Sequence, residues 1–137
     1  MAAGGTGRAD LEGFGLVPND IRVIQAKEFL RATVQGTFDL NASKAALAEI
    51  ARATDPFPGF DIMVDVRDAP NNLSLPEIHE VLQVFAELRI GDGHKGAVLT
   101  DPKRFESARF FAISARRMGF AVHAFVSFEE AFEWLAL

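Results

Sequence analysis

The chain has 137 residues, a net charge of −5 and no cysteine. That length suits one domain burying about two-thirds of its unfolded surface without staples. The missing thiols exclude a disulfide framework, a zinc–thiolate site and a thiol nucleophile, and the acidic balance argues against general nucleic-acid binding, which needs a basic footprint.

Residues 1–20 are rich in Gly and Ala and lack periodicity, which predicts a flexible N-terminal leader ahead of a single domain over 21–137. MAAGGTGRAD lacks the apolar core of a signal peptide. No apolar run reaches the roughly 20 residues of a membrane span, so a cytoplasmic location is the expectation. Ile21–Ala26 and Phe29–Phe38 predict two antiparallel strands about a turn at Lys27–Glu28. In the second, Leu30, Ala32 and Val34 alternate with Arg31, Thr33 and Gln35. Asp39 or Asn41 can cap a helix over Ser43–Ala53, with Ala45, Leu47, Ala48, Ile50 and Ala51 as its apolar surface. The two prolines and the glycine between Thr54 and Gly59 stop it.

Asp61–Val66 predicts a third strand. Ser74, Pro76 and Glu77 then form an S-x-P-E helix start, and Ile78, Val81, Leu82, Phe85 and Leu88 make one apolar stripe. Gly91-Asp92-Gly93 turns the chain into a strand over Gly96–Thr100. Asp101-Pro102 breaks that strand, and a helix runs from about Arg104 to Met118, closed by Gly119. Its broad apolar face comprises Phe105, Ala108, Phe111, Ala112, Ala115 and Met118. Ala121–Phe125 predicts the last strand. Ser127 and Glu130 have capping-box spacing, and Phe128, Ala131, Phe132 and Leu135 predict a short helix lying back on the sheet. The order ββαβαβαβα predicts an α/β fold: a mixed, mostly parallel five-stranded sheet with four helices and one antiparallel strand from the initial meander.

The segments DIMVDVRDAP, KGAVLTDPKRFESARFF and VHAFVSFEEAFEWL, in that order, resemble the STAS-like fold. More narrowly, they resemble the sporulation anti-anti-sigma-factor-like family, over roughly residues 21–137. The most telling part is the closing strand and helix, with Phe125, Glu129, Glu130, Ala131, Trp134 and Leu135. The resemblance implies a non-enzymatic interaction or ligand-sensing module with no cofactor. Members of the wider group that are regulated by phosphorylation carry a D-S-x-G-type motif after the third strand. Here Asp65 is followed by Val66-Arg67-Asp68-Ala69-Pro70, and the first serine is Ser74. Ser74 is thus the candidate phosphorylation site, since a helix N-terminus favours an added phosphate. The residues by themselves favour the plainer reading of Ser74, a structural cap worth about 1 kcal/mol.

Several motifs fail on context. Gly91-Asp92-Gly93-His94-Lys95-Gly96 matches G-x-G-x-x-G, but it follows a helix and opens a strand, the reverse of a dinucleotide site. His79-Glu80-Val81-Leu82-Gln83 begins like a zinc-protease helix and lacks the second histidine, so no metal site is expected. Asp65 and Asp101 could meet at neighbouring strand ends as an acid/base or Mg²⁺ pair, or simply cap loops and helix starts. Thirteen Phe and no Tyr favour dry surfaces over polar recognition. Phe57, Phe60 and Phe85, with Asp65, are the candidate lining of a cleft for a small apolar or acyl ligand. Phe110 and Ile113, beside Arg117, point away from the main apolar face of their helix. A protein partner, a second copy of the chain or the leader could cover them. Three functions follow: an interaction module with a protein partner or itself, a carrier or sensor of an apolar ligand, and, least supported, a small hydrolase or isomerase.

Overall fold

The computed structural model describes residues 19–24, 29–36, 39–57, 59–70, 72–90 and 93–137. Strand β1 (Asn19–Ile24) pairs antiparallel with β2 (Phe29–Gln35), Ile21 opposite Ala32. Helix α1 (Leu40–Thr54) leads to β3 (Asp61–Asp68), and helix α2 (Leu75–Leu88) leads to β4 (Lys95–Leu99). A 3-10 turn, Pro102–Arg104, opens α3 (Phe105–Arg117), which leads to β5 (Ala121–Phe125), and α4 (Phe128–Ala136) closes the chain. Strands β2 to β5 lie parallel in chain order, with β1 antiparallel on the outer side of β2. The expected α/β class, mostly parallel sheet and four helices are therefore present among the described residues. Residues 1–18 of the expected 1–20 leader, the strand ends at Gln25-Ala26 and Thr37-Phe38, the Lys27–Glu28 turn and Gly91-Asp92 lie outside them. Asn19 and Asp20, expected in the leader, open β1.

The helix starts follow from short polar side chains that accept orphan backbone N–H groups. Asp39, rather than Asn41, caps α1, its Oδ1 accepting from the Ala42 N–H at 2.8 Å. Ser74 and Glu77 form both halves of a capping box on α2, and Ser127 accepts from the Glu130 N–H on α4. Helix α3 ends where Gly119 takes φ +94, a backbone shape an L side chain resists. The Gly119 and Phe120 N–H groups then donate to the Arg116 and Ala115 carbonyls, both at 3.0 Å.

Because the parallel sheet advances one strand at a time, right-handed crossovers carry α1, α2 and α3 to the same face. Helix α4 folds onto the opposite face. Strand alternation divides the side chains accordingly. Ile62, Ala32 and Val122 join Ile50, Leu82, Phe85, Ala112 and Ala115 in the core under α1–α3. Met63, Ala97, Leu99 and Phe29 pack with Ala131 and Leu135 of α4.

Some expected boundaries and faces shift. Helix α1 starts at Leu40, and its buried line is Ser43, Ala46, Glu49 and Ile50. The fully buried carboxylate of Glu49 was absent from the expected apolar surface. Met118, expected on the buried face of its helix, is 49 % exposed because α3 has already ended at Arg117. Leu88, expected in the α2 stripe, is exposed at that helix's last position.

Candidate functional site

A cavity of about 170 Å³ lies between the sheet and the layer formed by α1, α2 and α3. Its floor is the inner row of the parallel strands: Val34 of β2, Ile62, Val64 and Val66 of β3, Gly96 and Val98 of β4, and Val122 of β5. Ala46, Leu47 and Ile50 of α1, Ile78, Val81 and Phe85 of α2, and Ala108 and Phe111 of α3 cover it. The volume has a local origin in the sequence. Gly96 in the floor and Ala46 and Ala108 in the roof bring little bulk to their layer. A Cβ built at Gly96 would meet only Val122 Cγ2, at 3.6 Å.

Polar groups enter this wall at few places. Ser43 stands at the start of α1, Thr100 just beyond the end of β4, and Arg104 and Ser107 at the start of α3. All four lie at the carboxyl edge of the parallel strands, while His94 stands at the opposite edge, just before β4. The Ser43 hydroxyl donates to the Asp39 carbonyl at 2.9 Å. Arg104 donates through Nη2 to Asp101 Oδ2 and, at 3.5 Å, to the Arg67 carbonyl. Its Nε is buried and has no hydrogen-bond partner among the described residues.

The cleft proposed from the sequence is not one site. Phe85 lines the cavity and makes edge contacts with Phe111 and Phe120, at centroid separations of 5.5 and 5.1 Å. Phe57 and Phe60 instead face each other at 5.3 Å across the turn before β3, and neither lines the cavity. Asp65 is separated from Phe85 by the sheet itself, because odd-numbered β3 residues face α4 while Ile62, Val64 and Val66 face α1–α3.

On the α4 face, Asp65 is only 4 % exposed and is fully engaged. Its Oδ1 accepts from the Arg67 backbone N–H at 3.1 Å and from Arg67 Nε at 3.0 Å. Its Oδ2 accepts from Arg67 Nη2 at 2.8 Å and Arg31 Nη2 at 3.2 Å. Burial pushes its pKa up, but the Arg67 and Arg31 contacts outweigh that and hold the carboxyl below its ordinary value. Arg31 also lies over the Phe128 ring at 4.9 Å. Asp101, the other half of the acid/base pair considered from the sequence, caps the 3-10 turn and pairs with Arg104. Both carboxylates are thus committed to arginines. Among the described residues no cluster of three or more His, Cys, Asp or Glu is arranged to hold a metal ion.

The remaining candidates are dispersed. Ser74 is exposed, and its side chain is occupied by the capping box. On α3, Phe110 is 40 % exposed, Ile113 is half-buried and Arg117 is exposed. The residues that sequence reasoning missed include the polar Ser43, Thr100, Arg104 and Ser107 and the small Gly96, Ala46 and Ala108. A missing side chain carries no signal until its neighbours are known.

The fold corresponds to a solved one. The crystal structure of an uncharacterized protein from the DUF3478 family with a SpoIIAA-like fold, from Shewanella loihica PV-4, matches with a TM-score of 0.58. The match covers 88 % of this chain and 94 % of that one, at 16 % sequence identity. The chain therefore has a SpoIIAA-like fold, and identity this low speaks of fold alone. Neither a family model nor a curated protein matches the sequence. Among the described residues, no helix is long and apolar enough to cross a membrane.

Proposed function

We propose that this chain is a non-enzymatic STAS-like regulatory module that binds a small apolar ligand between its sheet and its three-helix layer. The cavity is the observation that carries this reading. Left empty, the cavity of about 170 Å³ keeps a mostly apolar lining against water, at a cost of roughly 25 cal/mol per Å². An occupant removes that cost. For scale, a cavity of about 150 Å³ lined by Leu, Ile and Phe takes up benzene. The commitment of Asp65 and Asp101 to arginines supports a binding role over acid/base chemistry.

Native mass spectrometry of protein purified from cells without detergent tests this reading. An adduct of low mass that is lost in Ala46→Leu, where the added side chain occupies the cavity, is the expected result. A bare chain, together with no thermal shift in saturating toluene, would exclude it.

A second reading is favoured by one observation. Phe110 and Met118 are exposed large apolar groups at the outer side and end of α3, with Ile113 and Arg117 beside them. We assign this surface to a protein contact, with a second copy of the chain as its simplest occupant. It is separate from the cavity, whose wall takes Phe111 but not Phe110.

A further inference from the structure

We infer that the cavity's occupant carries a neutral hydrogen-bond acceptor at one end, of the ketone, ester or amide carbonyl class, and that Arg104 is the residue that reads it. This rests on the ligand-binding reading above and narrows the chemistry of the ligand. The walls are aliphatic or aromatic except at His94 on one edge and, on the carboxyl edge of the strands, at Ser43, Thr100, Arg104 and Ser107. Among these the bare buried donor stands at the carboxyl edge. At that edge Arg104 belongs to the wall, and its Nε–H is buried without an acceptor among the described residues. Buried donors are nearly always satisfied, and a bare one marks a missing partner. A ligand oxygen supplies it.

The charge of that oxygen is decided by Asp101. Its carboxylate already accepts from Arg104 Nη2, so the guanidinium charge is balanced before a ligand arrives. The same Nη2 also reaches the Arg67 carbonyl. A ligand carboxylate would bring a second negative charge beside Asp101, onto a guanidinium that Asp101 already balances. A carbonyl oxygen accepts the same N–H and adds no charge. An alkane or arene leaves the N–H bare. The preferred order is therefore neutral carbonyl, then hydrocarbon, then carboxylate. Scaling from benzene's six carbons in about 150 Å³ to 170 Å³ sets the buried part of the occupant at about seven non-hydrogen atoms.

Calorimetric titration of the intact protein with 2-heptanone, toluene and heptanoate tests the assignment. The expected result is a dissociation constant for 2-heptanone about tenfold or more below that of toluene, the size of one hydrogen bond to a charged donor, with heptanoate weakest. In Arg104→Lys, which keeps a cation for Asp101 but removes the Nε–H, the ketone should fall to the level of toluene while toluene itself is unchanged. Equal binding of ketone and toluene by the unmodified protein, or tightest binding of heptanoate, would overturn the inference and leave the apolar cavity reading standing. Failure of all three compounds to bind would overturn both. The ligand order in the unmodified protein decides the matter even if the variant does not fold.

Discussion

Asp65 shows how a carboxylate that looks catalytic in a sequence can be structural in the fold. It sits at a strand's carboxyl end, where α/β ligand sites form, yet the pleat turns it away from the cavity and onto two arginines. Its folded pKa lies below the ordinary 3.8, so its contribution to stability is complete above pH 3.8 and is lost as pH falls through the lowered value. Arg67→Gln removes the larger partner and leaves Arg31. The Asp65 pKa should rise, readable by NMR titration of the carboxyl carbon, and an unchanged value would show that Arg67 is not what holds it down. Asp65→Asn presents an amide to two guanidinium donors at a buried position, and should cost about 2–4 kcal/mol in chemical denaturation. His123 is shifted in the same direction by a different cause. Burial, then the charge of Arg116, lowers its pKa from 6.5, so the unfolded chain binds the proton more readily. Stability should fall as pH drops from 6.5 through the lowered folded value, and His123→Gln should flatten that window. A profile of the variant parallel to the parent across that range would exclude His123 as its source.

At the scale of elements, the terminal helix α4 is the clearest case of a segment held by packing rather than propensity. Nine residues do not persist as a helix alone. Trp134 lies against His123 and Phe125, at ring separations of 4.8 and 5.6 Å, while Phe132 meets Phe29 edge-on at 5.7 Å. Lys95 ties the end down, its Nζ donating to the Trp134 and Leu137 carbonyls at 3.0 and 3.2 Å and lying 5.5 Å from the Trp134 ring. Trp134→Ala should therefore cost about 3 kcal/mol. Native tryptophan fluorescence as red-shifted as in denaturant would show instead that the ring is free.

This helix was legible from its cap and its spacing, as α2 was from Ser74, Pro76 and Glu77, because those signals are local. The cavity was not legible. Its walls come from four strands and three helices far apart in sequence, and its volume from Gly96, Ala46 and Ala108. Phe57 and Phe60 were drawn to the same site by composition, but only pairing and pleat decide which face of a sheet a residue meets.

For the molecule as a whole, the two faces of the α1–α3 layer make separable predictions. The inner face closes the cavity, and the outer side of α3 carries Phe110, one residue away from the cavity-lining Phe111. Adjacent helix positions point about 100° apart, so one substitution can act on one surface and spare the other. Ala46 is buried against Val34 and Ala69. Ala46→Leu extends into the void, offsetting lost cavity contacts, and should leave unliganded stability within about 1.5 kcal/mol of the parent while abolishing the response to toluene. Phe110→Asp places its charge in water on a free subunit and in a desolvated contact on a paired one. It should yield a folded monomer with ligand binding intact, judged by sedimentation at tens of micromolar beside the parent protein. A parent that sediments as a monomer, or a Phe110→Asp chain that still self-associates, would remove α3 as the contact and leave the cavity untouched. Loss of ligand binding in Phe110→Asp would show that the surfaces are coupled through α3, a helix with one side in the cavity and the other at the contact.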